Sequence, residues 1–213
     1  MVKFLVIRHG YSKSNEQGLF TGRTDVPLAD TGIIQARKTA RLIADNYRVD
    51  AIYSSPLLRA LQTAEPLSRE LGLPVVICDD LCEIDGGEWE QKPASSLLSL
   101  YPEDYGLWLS DIGLSRCTGG ESMRDVQLRA LKALKAIASE NAGKTVAVVT
   151  HAGVIRALQC AWQHIPLDRM KSVPWVPNAS LSVAEYENGA FSALFMGDDR
   201  HLSDISTNLP KNI

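Results

Sequence analysis

No apolar run in this 213-residue chain approaches the ~20 residues that a membrane-spanning helix needs. Excess charge is lacking too. There are 22 Lys and Arg against 25 Asp and Glu, a formal net charge of −3, so no global positive field exists to draw in DNA or RNA. Any anion binding has to come from a local cluster. Cysteine is scarce: Cys78, Cys82, Cys117 and Cys160 form no C-x-x-C pair, which points to reduced thiols rather than a disulfide scaffold or a zinc ribbon. The apolar opening, Val2 to Ile7, is too short for a signal-peptide core and runs into Arg8 and His9 instead of a small-residue cleavage site. Repeats and low-complexity segments are absent. These absences leave a cytoplasmic chain with no nucleic-acid or membrane partner, sized for one domain over 1–213. Nothing in it marks an oligomer interface.

What is present alternates. Val2 to Ile7 is a β-branched run expected as a buried strand. Asp30 or Thr31 is expected to cap a helix with Ile33, Ala36, Ala40 and Ile43 on its apolar face. Ala51-Ile52-Tyr53 is a second strand, followed by a helix expected to begin at Pro56 and to kink or break at Pro66. Pro74 to Ile77 is a short third strand. From about 86 to 120, Gly, Ser, Pro and the aromatics Trp89, Tyr101, Tyr105 and Trp108 carry little helical periodicity, as in an insertion over one end of a sheet. Ser122 to Asp125 has a capping-box pattern ahead of a helix. Thr145 to Thr150 is the clearest buried strand, with a helix from Gly153 to about Ile165. Two late strands, near 181–186 and 191–195, flank Asn188-Gly189. From Gly197 the chain is polar and is expected to wrap the surface.

Strands alternating with helices predict an α/β fold, a three-layer α/β/α sandwich with a mostly parallel central sheet. Ligands in such folds bind beyond the carboxyl ends of the strands. Arg8-His9, Ser54 to Arg59, and Thr150-His151-Ala152-Gly153 each follow a strand. If those strands are neighbours, two arginines and two histidines meet, with Glu83 close behind the third strand. Two guanidiniums repel a cation but match phosphate oxygens with their planar forks. A neutral imidazole is a competent phosphoryl acceptor, and by residue type either His9 or His151 qualifies. Glu83 is a candidate donor of the proton that a leaving alkoxide needs. Each residue alone also fits a plain solvated role. The acidic run Asp79, Asp80, Glu83 and Asp85, with Cys78 and Cys82, allows a metal site to be imagined, but no metal or other cofactor is expected.

Six stretches, in order, carry a resemblance. They are Arg8-His9-Gly10-Tyr11-Ser12-Lys13-Ser14-Asn15; Gly22-Arg23-Thr24-Asp25-Val26-Pro27-Leu28; Ser55-Pro56-Leu57-Leu58-Arg59-Ala60-Leu61-Gln62-Thr63-Ala64; Glu83 followed by Gly87-Glu88-Trp89-Glu90; Gly119 to Ser122; and Val149 to Arg156. Together they resemble the histidine phosphatase superfamily, the branch that includes cofactor-dependent phosphoglycerate mutase. The resemblance implies a phosphoglycerate mutase-like fold, His9 as the phosphorylated nucleophile, and Arg8, Arg59 and His151 as the phosphate pocket. It implies Glu83 as general acid and base. Asn15, Thr21, Gly22 and Ala152 would join the phosphate- or substrate-binding set, with no metal.

The substrate implied is a small phosphorylated metabolite, and the chain resembles the small phosphatases, of α-ribazole and broad-specificity type, more than the mutases. Arg23 stands where mutases usually carry Trp, and the longer mutase signature around the acid is missing. Gln91 departs from the Gly usual after Trp-Glu, which implies a different turn on the substrate side. A mutase primed by a bisphosphate, or a silent binding member of the fold, are the competing expectations. Arg23, the aromatics of 86–120 and Trp175 are candidates to line a pocket for a sugar, nucleotide or cobalamin precursor, or else to form the small core of the insertion.

Overall fold

The computed structural model describes residues 1–207. Its six-stranded sheet has the order β3-β2-β4-β1-β5-β6. The strands are β1 (Val2–Arg8), β2 (Ala51–Ser54), β3 (Val75–Ile77), β4 (Thr145–Thr150), β5 (Leu181–Glu187) and β6 (Ala190–Asp198). The first four run parallel, and β5 and β6 are antiparallel at one edge. The expected mostly parallel α/β sandwich is what forms. Side chains alternate along β1, so Phe4 and Val6 enter one core while Leu5 and Ile7 enter the other. Burial on both faces explains the near-continuous apolar runs of β1 and β4. Each fully buried Leu, Ile or Phe contributes ~1.5–3 kcal/mol.

Helices α2 (Asp30–Asn46) and α3 (Leu58–Leu71) cover one face, through Ala40, Ile43, Ala60, Ala64 and Leu67. The other face is covered by α6 (Met123–Glu140) and α7 (Ala152–Trp162), through Val126, Leu134, Val154 and Leu158. Short α1 (Lys13–Gln17) lies in the loop after β1. The 86–120 segment is more regular than its sequence suggests. It holds a 3-10 turn at Gly87–Trp89 and the helices α4 (Ala94–Leu100) and α5 (Pro102–Ser110). Trp89 and Tyr105 join the main core there, not a small private one.

Several local expectations need correcting. Neither Asp30 nor Thr31 caps α2: the N-cap is Ala29, with no side-chain bond, and Asp30 instead opposes the helix dipole from the first turn. Ile33 is exposed, and the buried face runs through Gly32, Gln35, Ala36, Thr39, Ala40 and Ile43. Polar residues fit on that face because each is satisfied. Gln35 accepts from the Tyr11 N–H and donates to the Ile205 carbonyl, and Thr39 Oγ donates to a backbone carbonyl. Helix α3 begins at Leu58, not Pro56, because Asp25 takes the Leu58 N–H. It runs without a break through Pro66, whose cost the buried Ala60, Ala64 and Leu67 offset. The Ser122–Asp125 capping box is as expected, and so is the hairpin at Asn188-Gly189, two residues that take positive φ. Beyond β6 the chain docks on α2 through Lys38–Asp204; the end of the expected surface wrap, 208–213, lies outside the described residues.

Candidate active site

Register brings the site together. Arg8 pairs with Thr150 across β1 and β4, and Ser54 with Val149 across β2 and β4. The residues that follow, His9, Ser55 and His151, therefore leave the sheet side by side. The His9 and His151 ring centroids are 5.1 Å apart.

His9 Nδ1 lies 2.7 Å from the Gly10 carbonyl oxygen. A carbonyl only accepts, so this contact assigns the ring proton to Nδ1 and leaves the Nε2 lone pair for chemistry. Burial, then the charges of Arg59 and Arg8, hold His9 well below the usual histidine pKa, which keeps the ring neutral. The His9 carbonyl is fixed by Asn178 Nδ2 at 3.1 Å and the Ala179 N–H at 3.2 Å. His151 is fully buried, with Nε2 2.8 Å from Ser55 Oγ and Nδ1 without a partner. Burial, followed by Arg59, also pushes its pKa well down.

Arg8 and Arg59 are buried, at 5% and 1% exposure. Among the described residues their hydrogen bonds go only to backbone carbonyls. Arg8 Nη1 reaches Val176 at 2.6 Å, and Arg59 reaches Thr24 at 3.0 Å and Gly22 at 2.6 Å. Arg8 Nε is buried with no partner. Burial lowers the Arg8 pKa to about 10 and lowers that of Arg59 as well. Among the described residues neither guanidinium hydrogen-bonds a carboxylate, though Glu83 acts on both from farther off, so both can still take up an anion.

Glu83 closes the opposite side. Its Oε1 accepts the Ile84 N–H at 2.9 Å and its Oε2 the Gly153 N–H at 3.1 Å, in the first turn of α7. A Cβ on Gly153 would come within 2.5 Å of Oε1, so only glycine lets the carboxylate in. Arg129 steadies this loop from below. It donates to the carbonyls of Asp80, Cys82 and Glu83 and pairs with Glu121. The acidic run disperses accordingly: Glu83 faces the cavity, and Asp85 accepts the Gly87 N–H. Among the described residues no three His, Cys, Asp or Glu side chains gather as ligands, and no helix is long and apolar enough to cross a membrane.

Similarity to known proteins agrees with this geometry. The family model of the histidine phosphatase superfamily (branch 1) matches residues 4–199. The chain belongs to that superfamily. Phosphoserine phosphatase 1 of Hydrogenobacter thermophilus is 32% identical over 213 residues, covering all of both chains. The solved structure of Bacillus stearothermophilus YhfR matches at a TM-score of 0.90 with 31% identity, over 95% of this chain and 100% of that one. A phosphoserine phosphatase of Entamoeba histolytica, solved with 3-phosphoglyceric acid, matches at 0.82 with 27% identity, over 95% and 100%.

Against this histidine phosphatase background, Arg8, His9, Asn15, Thr21, Arg59, Glu83 and Ala152 all line one cavity. His151 lies beneath His9 rather than on the cavity wall. Gly22 is also behind the wall, where its carbonyl receives Arg59 and its N–H goes to Glu90. Asn15 is committed locally, its Oδ1 accepting from the Ser12 N–H and Asn178 Nδ2. Arg23 turns away from the cavity to pair with Glu121 at 3.3 Å. Gln91 takes a φ of +59°, so the turn is left-handed as glycine would make it, and its amide reaches Ser14 and Thr21.

The sequence reading missed Ser55, Asn178, Arg129 and Glu90 as site residues. Glu90 accepts the N–H groups of Gly22, Arg23, Thr24 and Gly86 and the Thr24 hydroxyl. Burial alone would raise its pKa, but these bonds outweigh burial and hold it below the usual carboxylate range. The signal for Ser55 and Glu90 was their place inside the quoted motifs; Asn178 and Arg129 carried none.

Proposed function

We propose that the protein is a phosphatase that hydrolyses small-molecule phosphate monoesters through a phosphohistidine on His9, without a metal. The observation that carries this reading is the pair of buried guanidiniums, Arg8 and Arg59, hydrogen-bonded among the described residues only to backbone carbonyls, flanking a neutral imidazole whose free nitrogen is Nε2. A phosphate dianion supplies oxygens that the planar guanidinium forks can bind two at a time. The relatives named for phosphoserine phosphatase activity support the same class of reaction.

In the first step the Nε2 lone pair attacks phosphorus. The N–P bond forms, the P–O bond to the alcohol breaks, and Glu83 gives a proton to the departing oxygen. In the second step water attacks the phosphohistidine and its proton passes to the Glu83 carboxylate. The N–P bond breaks onto Nε2, and phosphate leaves. Arg8 and Arg59 meet the charge on the equatorial oxygens, and His151, its ring centroid 5.1 Å from that of His9, backs the nucleophile. All these groups hang from one sheet and its loops, so a single domain carries the reaction, with 86–120 shaping the substrate side.

The test is phosphate release from a panel of monoesters in excess chelator. Turnover in EDTA that His9→Ala lowers by more than about 1,000-fold, with the thermal transition unchanged, is the expected result. A metal requirement, or activity kept by His9→Ala, would overturn the reading.

A further inference from the structure

Two polar side chains on the buried face of α2, Gln35 and Thr39, stand one turn apart. Each bridges the surroundings of His9 to the stretch of chain after β6. Gln35 accepts the Tyr11 N–H at 2.9 Å and donates to the Ile205 carbonyl at 3.2 Å. Thr39 Oγ lies 2.8 Å from the Ala179 carbonyl oxygen, 3.0 Å from that of Gln35 and 2.9 Å from His201 Nε2. The Ala179 N–H in turn donates to the His9 carbonyl at 3.2 Å. A continuous path of hydrogen bonds therefore runs from His201 through Thr39 and Ala179 to the backbone of His9. His201 itself does not line the cavity.

The direction of the path follows from the donors. The Thr39 hydroxyl has one proton, and a carbonyl only accepts. The Gln35 carbonyl is served by the N–H groups of its own helix. Ala179 is fully buried, and a ring that accepted from Thr39 would leave its carbonyl bare. The hydroxyl proton therefore goes to Ala179, and His201 donates to the hydroxyl from Nε2. Ala179 takes a φ of +55°, a backbone conformation that a residue other than glycine keeps only where its surroundings fix it. Both of its polar groups are fixed here, the N–H on His9 and the carbonyl on Thr39. Loosening the carbonyl lets the turn relax, and the His9 backbone moves with it.

Resting on the phosphatase reading, we propose that His201 is a positioning residue for the nucleophile. Through the Thr39 hydroxyl it holds Ala179 in its strained turn, and that turn holds the His9 backbone where Nε2 meets phosphorus. The path also accounts for a polar residue at position 39 in the core: a valine would fill the same space and carry no bond. A displacement of well under 1 Å at His9 is enough to slow an in-line attack.

The test uses three substitutions in the full chain. His201→Phe keeps a ring and removes the donor, His201→Gln keeps an amide N–H near the place of Nε2, and Thr39→Val keeps the shape and removes the link. Rates are measured per folded molecule, below each variant's thermal transition. His201→Phe and Thr39→Val should each slow phosphorylation of His9 in a single turnover about tenfold, with KM within about twofold of wild type. His201→Gln should recover most of the rate. The double variant His201→Phe with Thr39→Val should be no slower than either alone, because both cut one path. A merely structural His201 would lower the thermal midpoint and leave the rate per folded molecule unchanged. An unchanged rate in either single variant, a His201→Gln as slow as His201→Phe, or losses that multiply in the double variant would overturn the positioning role and leave the phosphatase reading standing. If His201→Phe does not fold, Thr39→Val and His201→Gln decide: a slow Thr39→Val beside a near-wild-type His201→Gln supports the role, and any other pair overturns it. No phosphate release and no label on His9 in the wild-type protein would remove both.

Discussion

His151 owes its usefulness to Ser55, a residue 96 positions away in the chain. Ser55 Oγ already accepts the Leu57 N–H. Its one proton can go to Cys82 Sγ, at 3.8 Å, or to His151 Nε2, at 2.8 Å. The shorter contact is the stronger bond, and a proton placed there makes Nε2 the acceptor and leaves the ring proton on Nδ1. Ser55→Ala should lower kcat about tenfold and leave KM and the thermal transition nearly unchanged. An unchanged kcat would show that the tautomer is set elsewhere. At this scale the sequence was legible for the groups that stand next to strand ends or within a motif: Arg8, His9, Arg59, Glu83 and His151. It was silent on Asn178 and Arg129, whose partners are supplied by distant segments that only the fold brings near.

At the scale of elements, the junction of β4 and α7 joins catalysis to helix geometry. Gly153 lies in the first turn of α7, where Ala is the better helix former by up to ~1 kcal/mol. Yet its Cβ would displace the Glu83 carboxylate. Gly153→Ala is therefore expected to hold or raise the thermal midpoint while lowering kcat about a hundredfold for poor leaving groups, and much less for activated aryl esters. Equal losses on both would argue against Glu83 as the proton donor. Periodicity placed every strand and the long helices, most clearly β1 and β4, where both faces are buried and the apolar runs are continuous. It failed on the buried face of α2, where Gln35 and Thr39 take core positions through hydrogen bonds that a hydrophobic pattern does not report. It also missed α4 and α5, although Tyr105 and Trp108 of α5 stand three positions apart and pack on Phe20 and Trp89.

Across the whole molecule, the site is bought with stability. His9 and His151 are neutral when folded, with pKa values pushed well below that of the unfolded chain, near ~6.5. Below that value the unfolded chain binds protons that the folded one refuses. Their contribution is complete above about pH 6.5 and is lost as the pH falls toward the folded pKa values. The urea midpoint should drop between pH 7.5 and 5.5, and His9→Gln should flatten that slope. A variant slope as steep as wild type would mean that His9 is charged in the folded protein.

The central claim is the covalent intermediate, and trapping it is the most direct measurement. The protein would be mixed with a ³²P-labelled monoester and quenched in alkali within one turnover. The account predicts label that survives alkali, is lost in acid, maps to His9 and is absent from His9→Ala. Turnover with no trapped label, or label on His151 or a carboxylate, would contradict it.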